Sequence, residues 1–253
     1  EKILNIIKDE TSEVAKKYGD KRRTDIVADE IEQINVEDLI KEEEMVVLIS
    51  HLGYIKAVPA STYKSQGRGG KGSNSAKLVE DDFIKQVFVA SNHDYVMFIS
   101  TEGKAYYIKV HEIPESSKNT RGVHIKGLLS IASDEEIATT VTLKEFSEDK
   151  FLFMATSKGV VKKVRTSDFS NAKTRGIIAI NLDEGDKIVS AILTDGSNEL
   201  VLVSRKGHAL RFTEQDVRFM GRASRGVCGL RLSNEDELTG AVVLMRLADY
   251  LLR

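Results

Sequence analysis

The segment from His51 to Val79 has the most distinctive chemistry of the sequence. It contains no acidic residue and five basic ones, Lys56, Lys64, Arg68, Lys71 and Lys77. Its centre, Gln66 to Gly72, has the sequence QGRGGKG, in which glycines leave backbone N–H groups open beside two cationic side chains. N–H groups and cations both bind phosphate oxygens. The segment therefore predicts contact with a nucleic-acid backbone, and a solvated basic loop is the alternative.

The glycines of this loop also match the G-x-G-x-x-G spacing of dinucleotide-binding turns. That turn needs a strand before it and a helix after it, and the flanking stretches PASTYKS and SNSAKLVEDD have neither pattern. A Walker loop needs Ser or Thr after its lysine, whereas Gly72 follows Lys71. We therefore expect no nucleotide and no other cofactor in this chain.

Residues for catalysis or metal binding are not grouped along the sequence. The histidines never occur as a pair at metal-ligand spacing, and they are His51, His93, His111, His124 and His208. The single cysteine, Cys228, excludes a disulfide framework and a cysteine-rich metal site. No nucleophile and base are spaced as a catalytic pair. The sequence predicts a binding domain without catalytic residues or metal.

The formal net charge of −2 conceals two different regions. Residues 1–45 contain 8 basic and 14 acidic residues, which leaves 29 basic and 25 acidic residues for positions 46–253. A local positive field attracts a polyanion whatever the total charge. The charge distribution thus permits an anionic partner for the longer region.

The first residues form an amphipathic pattern. Ile3, Ile7, Val14 and Tyr18 fall on one arc at helical spacing, and Gly19 follows as a stop, so we expect a helix that ends near Tyr18. A charge-rich connector with at most one strand follows, which predicts domains at 1–40 and 41–253. No apolar run is long enough for a membrane helix, and no export signal is visible, so we expect a cytoplasmic protein.

From Met45 onward short β-branched runs replace the helical period, and four related hairpins can be aligned. Each has four apolar residues, then Ser or Thr, two further residues, a glycine and a returning strand. The turn glycines, which supply a positive φ, are Gly53, Gly103, Gly159 and Gly207. The returning strands contain the basic residues Lys56, Lys109, Lys163 and Arg211, which we interpret as equivalent positions.

An Arg-Gly pair follows each hairpin. The four pairs, 50 to 54 residues apart, begin at Arg68, Arg121, Arg175 and Arg225. Units of about four strands that repeat at this length are typical of a propeller-like array. The sequence predicts that the basic residues of successive units lie along one rim. The alternative is that the Arg-Gly arginines cap loops by donating to carbonyl groups.

These features resemble a known family, the C-terminal domain of the DNA gyrase A subunit. The family's box Gln-Arg-Arg-Gly-Gly-Lys-Gly is similar to Gln66–Gly72, and HLGYIKAVPASTYKS before it is similar to the family's first repeat. The stretch from Lys17 to Val27 is similar to the family's junction with its breakage-reunion core. The resemblance covers nearly the whole chain.

The resemblance implies an all-β fold, a β-pinwheel of four-stranded blades with about four repeats, preceded by an N-terminal α-helix from the core. It implies wrapping of double-stranded DNA with little sequence preference, in a nucleoid-associated ATP-dependent topoisomerase. The catalytic tyrosine, ATP and Mg would belong to other domains, and the partners would be the breakage-reunion core and the gyrase B subunit. DNA contacts are expected from the box and from each repeat: Gln66, Arg68, Gly69, Gly70, Lys71, Gly72, Lys56, Lys64, Lys109, Arg121, Lys163, Arg175, Arg211 and Arg225.

The sequence departs from the family pattern in the box, where Gly67 replaces an arginine. The four repeats are also fewer than the six blades usual in the family. A topoisomerase IV A subunit, with fewer blades and a degenerate box, is therefore an alternative, and a propeller-type protein-interaction module is a second.

Overall fold

The computed structural model describes residues 2–20, 36–63 and 81–244. The chain divides into two compact units, residues 1–41 and 42–253. In unit 1, helix α1 spans Lys2–Tyr18, as its apolar period predicts, and its side chains are exposed. Residues 36–39 form a short 3-10 helix. No helix in the described ranges is both long and apolar enough to cross a membrane.

Unit 2 consists of short antiparallel strands joined by turns. Its described strands are β1 (Glu44–Ser50), β2 (Tyr54–Pro59), β3 (Ile84–Ser91), β4 (Tyr95–Ser100), β5 (Lys104–Lys109), β6 (Val123–His124), β7 (Ile137–Leu143), β8 (Phe151–Thr156), β9 (Val160–Arg165), β10 (Ile177–Ile178), β11 (Ile188–Thr194), β12 (Glu199–Ser204), β13 (Ala209–Thr213), β14 (Val227–Cys228) and β15 (Leu238–Leu244). Helix α2 is Ile125–Leu128, and 3-10 helices are Ala60–Thr62, Val110–Glu112, Thr166–Phe169 and Glu214–Asp216.

The strands form four sheets, which we call blades 1 to 4. The strand order is β3-β1-β2-β6 in blade 1, β7-β4-β5-β10 in blade 2 and β11-β8-β9-β14 in blade 3. Blade 4 has the order β15-β12-β13 within the described residues. The hairpins β1–β2, β4–β5, β8–β9 and β12–β13 confirm the repeats predicted from the sequence.

The outermost strand of each complete blade comes from the next repeat. Strand β6, which follows blade 2's hairpin in the chain, pairs with β2 of blade 1, and β10 pairs in the same way with β5 of blade 2. Strand β14 pairs with β9 of blade 3. This exchange is the β-pinwheel arrangement that the resemblance implied. It joins neighbouring blades by backbone hydrogen bonds as well as by side-chain packing.

The hydrophobic core lies between successive blades. In β4, Val96 and Phe98 pack towards blade 1, whereas Met97 and Ile99 pack towards blade 3. Successive side chains of a strand point to opposite faces, so a strand that is covered on both faces is apolar at every position. This explains the continuous apolar runs of the hairpin strands. A third cluster, around Phe153 and Leu202, joins blades 3 and 4.

A carboxylate ties the hairpin turn to a second loop of the same blade. In blade 3, Ser157 Oγ donates to Asp186 Oδ1 at 2.8 Å, and Lys158 N donates to the same oxygen at 3.0 Å. In blade 1, Leu52 N donates to Asp82 Oδ1 at 3.1 Å. Such bonds satisfy the turn's backbone donors, which are not paired in the ladder. The second loop therefore fixes the geometry of the turn.

The tie of blade 4 has several hydrogen bonds. Asp236 accepts Ser204 Oγ at 2.7 Å and Lys206 N at 3.0 Å, and His208 Nδ1 lies 3.1 Å from its Oδ2. Burial alone raises the pKa of the Asp236 carboxyl, but these hydrogen bonds and one from Glu237 N outweigh it and lower the pKa to about 2. The ionised carboxylate is the form that stabilises the turn.

We expect Asp236 to contribute to the acid sensitivity of unit 2. A carboxyl whose pKa is lowered by folding stabilises the fold above its unfolded pKa of about 3.9, and this contribution is lost as the pH falls towards about 2. Asp236→Asn should lower the melting temperature at pH 7 and flatten its decline below pH 4, as measured by circular dichroism. The exposed Asp134→Asn serves as control, and equal pH profiles for the two variants would contradict the assignment.

Candidate nucleic-acid interface

The basic loop with the sequence QGRGGKG lies outside the described residues. This applies to Lys64 and to the box residues Gln66, Arg68, Gly69, Gly70, Lys71 and Gly72. Their contact with DNA stays a prediction. The described part of the interface therefore consists of the three later Arg-Gly pairs and their surroundings.

The arginines of these three pairs occupy equivalent places on successive blades. Arg121, Arg175 and Arg225 are exposed, and each lies two residues before an exchanged strand, β6, β10 or β14. Because the exchanged strand pairs with the preceding blade, Arg121 lies at the outer edge of blade 1, Arg175 at that of blade 2 and Arg225 at that of blade 3. The repeat thus places one exposed cation at the same point of blades 1, 2 and 3.

The glycine of each described pair allows the chain to cross the preceding blade. Gly226 has φ +96°, and a Cβ built on it would lie 2.7 Å from the carbonyl oxygen of Val161 in β9. Gly122, with φ +89°, would place its Cβ against the carbonyl of Ile55 in β2. Both the positive φ and the close approach exclude a side chain. The glycine is therefore needed for strand exchange.

Two of the arginines contact neighbouring side chains and remain exposed at the surface. The guanidinium of Arg121 lies 3.6 Å from the centroid of the Tyr54 ring. Arg225, whose side chain is 71% exposed, pairs with the half-exposed carboxylate of Asp183. These contacts are with a ring and a carboxylate, and not with backbone carbonyls as the capping alternative requires. Exposed ion pairs contribute little to stability, so a phosphate can compete for Arg225.

The hairpin-strand cations do not occupy equivalent positions, and this part of the sequence interpretation is wrong. Counted from the turn glycine, Lys56 is the third residue, Lys163 and Arg211 are the fourth, and Lys109 is the sixth. Side chains three and four residues along a strand point to opposite faces. The true counterpart of Lys56 is Lys162, the third residue after Gly159.

Lys56 and Lys163 lie in the interior and not on a rim. Lys56 is 2% exposed, and its Nζ donates to the carbonyl of Lys118 at 2.7 Å. Lys163 is 6% exposed, and its Nζ donates to the carbonyl of Glu214 at 3.0 Å and lies 3.8 Å from the Glu214 carboxylate. A cation held in this way is not presented to a ligand, so the expected DNA contact does not agree with the placement of these two lysines.

Lys109 and Arg211 are nearer to the surface. Lys109 is half-buried, with its Nζ 3.0 Å from the carbonyl of His93 and 4.0 Å from the centroid of the Tyr95 ring. Arg211 is exposed and pairs with Glu199 across the hairpin. Both are engaged within their own blade, and their contact with DNA stays a prediction.

A second basic residue accompanies each described Arg-Gly pair and was missed in the sequence interpretation. Lys118, Lys173 and Arg222 precede the three arginines by two or three residues. Lys173 is exposed, and Lys118 lies with its Nζ 4.1 Å from the Tyr63 ring centroid. A basic residue two or three positions before Arg-Gly was the signal that could have identified them.

Two arrangements that serve catalysis in other proteins, a metal site and a Ser-His-Asp triad, can be compared with the described residues. No group of three or more His, Cys, Asp or Glu side chains is placed to hold a metal ion in the described ranges. Ser204, Asp236 and His208 are in contact, but the aspartate contacts both other residues directly. A hydrolytic triad needs the histidine between serine and aspartate, so this group is a structural tie.

The comparison with protein families divides the chain into the same four repeats. The model of the DNA gyrase C-terminal domain, a beta-propeller, matches residues 44–91, 94–144, 150–195 and 198–245, one match for each sequence repeat. The chain belongs to this family. The four matches together cover most of unit 2 and include all four hairpins.

Two relatives of this chain are DNA gyrase A subunits of bacteria. The chain is 57% identical over 224 residues to the DNA gyrase A subunit of Treponema pallidum, and the match covers 88% of this chain and 28% of that protein. It is 40% identical over 243 residues to the DNA gyrase A subunit of Salmonella typhimurium, with 96% of this chain and 28% of that protein covered. The chain thus spans little more than a quarter of these two relatives.

Solved structures of two related domains have the same fold. The C-terminal domain of a DNA topoisomerase IV superposes with a TM-score of 0.69 at 26% identity, over 82% of this chain and 63% of that chain. A DNA gyrase A C-terminal domain superposes with a TM-score of 0.65 at 32% identity, over 79% of this chain and 65% of that chain.

We expect Gly226→Ala to weaken strand exchange between blades 3 and 4. The added Cβ would meet the carbonyl of Val161 at a positive φ, and such a change costs more than about 1 kcal/mol of unfolding free energy. The urea midpoint should fall, and the amide of Gly229, which donates to Gly159 O at 2.9 Å directly after β14, should exchange faster.

The matched control is Gly221→Ala in the same loop, where a Cβ would meet nothing within 4 Å and φ is not positive. If both alanine variants had the same stability and exchange, the close approach at Gly226 would not matter for the fold.

Proposed function

We propose that this chain is the DNA-wrapping domain of a DNA gyrase A subunit. One observation carries the proposal: an exposed arginine recurs at the outer edge of three successive blades, directly before the glycine that starts the exchanged strand. Guanidinium groups bind phosphate oxygens through paired hydrogen bonds. Equivalent positions on successive blades provide successive phosphate contacts to one duplex.

The phosphate contacts are distributed over several blades. Bending of DNA requires such a distribution. Smooth bending of DNA by 40 to 90° over a short site costs about 1 to 6 kcal/mol. A single loop does not supply this free energy in competition with salt, whereas several arginines and lysines on adjacent blades do. Contacts of this kind are made to the backbone, so the binding has little preference for base sequence.

In the parent enzyme, wrapping would present a neighbouring DNA segment to the breakage-reunion core with a fixed handedness. ATP-driven strand passage would then introduce negative supercoils, with the ATP and Mg sites, the catalytic tyrosine and the gyrase B subunit outside this chain. The 57% identity to a gyrase A subunit favours this activity. The second candidate is substrate selection by a topoisomerase IV A subunit, which the TM-score of 0.69 supports.

The wrapping proposal predicts a change in DNA topology. When the chain is bound to nicked plasmid and the nick is ligated, we expect a linking-number shift of one sign that grows with bound protein. Arg121→Ala combined with Arg175→Ala and Arg225→Ala should reduce the shift by more than about half, because three of the distributed phosphate contacts are lost.

The matched control removes the same charge from exposed lysines beside other strands, by alanine substitution of Lys144, Lys150 and Lys187. It should retain most of the shift. An equal loss in both triple variants would show that only net charge matters, and the absence of any shift for the unaltered chain would overturn the proposal.

The same contacts predict the salt dependence of binding. Each phosphate contact contributes about −0.9 to the slope of log affinity against log salt concentration. The variant that lacks the three arginines should therefore have a slope shallower by about 3, as measured by fluorescence anisotropy with duplexes of unrelated sequence. An unchanged slope would show that these arginines do not contact phosphate.

A further inference from the structure

Two buried lysines hold the loops that carry the Arg-Gly arginines. Lys56 in β2 donates from Nζ to the carbonyls of Ser117, Lys118 and Thr120, at 3.3, 2.7 and 2.9 Å. These residues belong to the next repeat, and they directly precede Arg121. The ammonium group of one blade therefore gathers the carbonyls of the loop that crosses over it.

Blade 3 repeats this arrangement at the equivalent position. Lys162 in β9 donates from Nζ to Ser224 O at 3.0 Å, to Ala179 O at 2.8 Å and to Arg222 O. Ser224 directly precedes Arg225, and Lys162 is fully buried. The same residue type at the same strand position thus makes the same kind of contact in two blades that are separated by a third.

These two groups of contacts, which we call carbonyl cages, differ from ordinary buried ion pairs. The three partners of each ammonium are uncharged carbonyls, which an ammonium with its three donors can satisfy simultaneously. Burial lowers the pKa of Lys162 to about 8, with a further contribution from the charge of Arg222. Burying this cation is therefore costly, and the arrangement needs the loop carbonyls to offset the cost.

The equivalent residues of the other blades support the connection between a crossing loop and this position. In blade 2 it is Tyr106, whose ring lies against Gly176 of the crossing Arg-Gly pair. In blade 4 it is Leu210, where no crossing strand is present among the described residues. The third residue after the turn glycine contacts the crossing loop wherever such a loop is described.

We propose that Lys56 and Lys162 are positioning residues for DNA wrapping, which fix the Arg-Gly loops of the next repeat through the carbonyl cages. This inference rests on the proposed function. The cage turns partially negative carbonyl oxygens of the arginine loop inward, away from a phosphate backbone, three of them before Arg121 and two before Arg225, and it leaves the arginine on the outward side. Without the cage the arginine remains present, but the loop that directs it is no longer held.

The test replaces Lys162 by methionine, which has a similar length and no donors. Hydrogen bonds to a charged group are among the stronger ones, so loss of the cage should speed amide exchange at Ser224 and Asn181 by about tenfold or more. Ser224 N donates to Gly221 O, and Asn181 N donates to Ser224 O, so both amides report on the loop.

The linking-number shift and the affinity for linear duplex together distinguish loss of loop positioning from loss of charge and from loss of stability. For Lys162→Met the linking-number shift per bound chain should fall by about a third, because one of the three described arginine loops is no longer held, while the affinity for linear duplex changes by less than about twofold. Lys150→Met removes an exposed charge and should leave both values unchanged. Thr166→Val removes a buried hydrogen bond to Ser147 in blade 3 itself, and should lower stability without a change in the shift.

Lys56→Met repeats the test in blade 1, with amide exchange at Thr120 as readout, in case the first variant does not fold. Faster exchange with an unchanged shift would overturn the positioning role and leave the proposed function intact. Equal loss of shift in Thr166→Val would also overturn it, because the effect would then be one of stability. The absence of a shift for the unaltered chain would overturn the proposed function and this inference with it.

Discussion

The close packing of an Arg-Gly glycine against the preceding blade is the constraint on which the interface depends. At Gly226 and Gly122 the backbone approaches a strand carbonyl so closely that a side chain cannot be accommodated. The chain can then add a strand to the preceding blade, and the residue before the glycine is left at the outer edge. Strand exchange and the display of an arginine are therefore two results of one local geometry.

Ionisable residues in this fold serve two purposes that composition cannot separate. Asp236 and Asp186 tie hairpin turns, and Lys56 and Lys162 hold crossing loops, so their charges are used inside the molecule. The exposed arginines use theirs at the surface. A buried cation or anion is tolerated because backbone donors or carbonyls replace the water that it loses. The interior groups fix the loops, and the surface groups bind the ligand.

Much of the fold could be predicted from the sequence, because its signals are local. A turn glycine three residues after Ser or Thr identifies each hairpin, and the repeat length identifies the blades. The placement of the cations could be predicted less well from the sequence than the fold. Lys56 and Lys163 differ by one residue in their distance from the turn glycine, and that difference reverses the face of the strand. Whether a lysine on the covered face is buried depends on the crossing loop, which comes from about 60 residues later in the chain.

One duplex should pass the arginines of blades 1, 2 and 3 in turn. The most direct measurement tethers an iron chelate that cleaves DNA to two cysteines of one chain, in the three pairwise combinations of Asn119→Cys, Thr174→Cys and Ala223→Cys, each in a Cys228→Ser background. Because backbone binding has no fixed register, the readout is the length of duplex between the two cuts made by one bound chain. Wrapping along the blades predicts a longer fragment for the blade 1 and blade 3 pair than for either adjacent pair, and equal fragment lengths for all three pairs would contradict it.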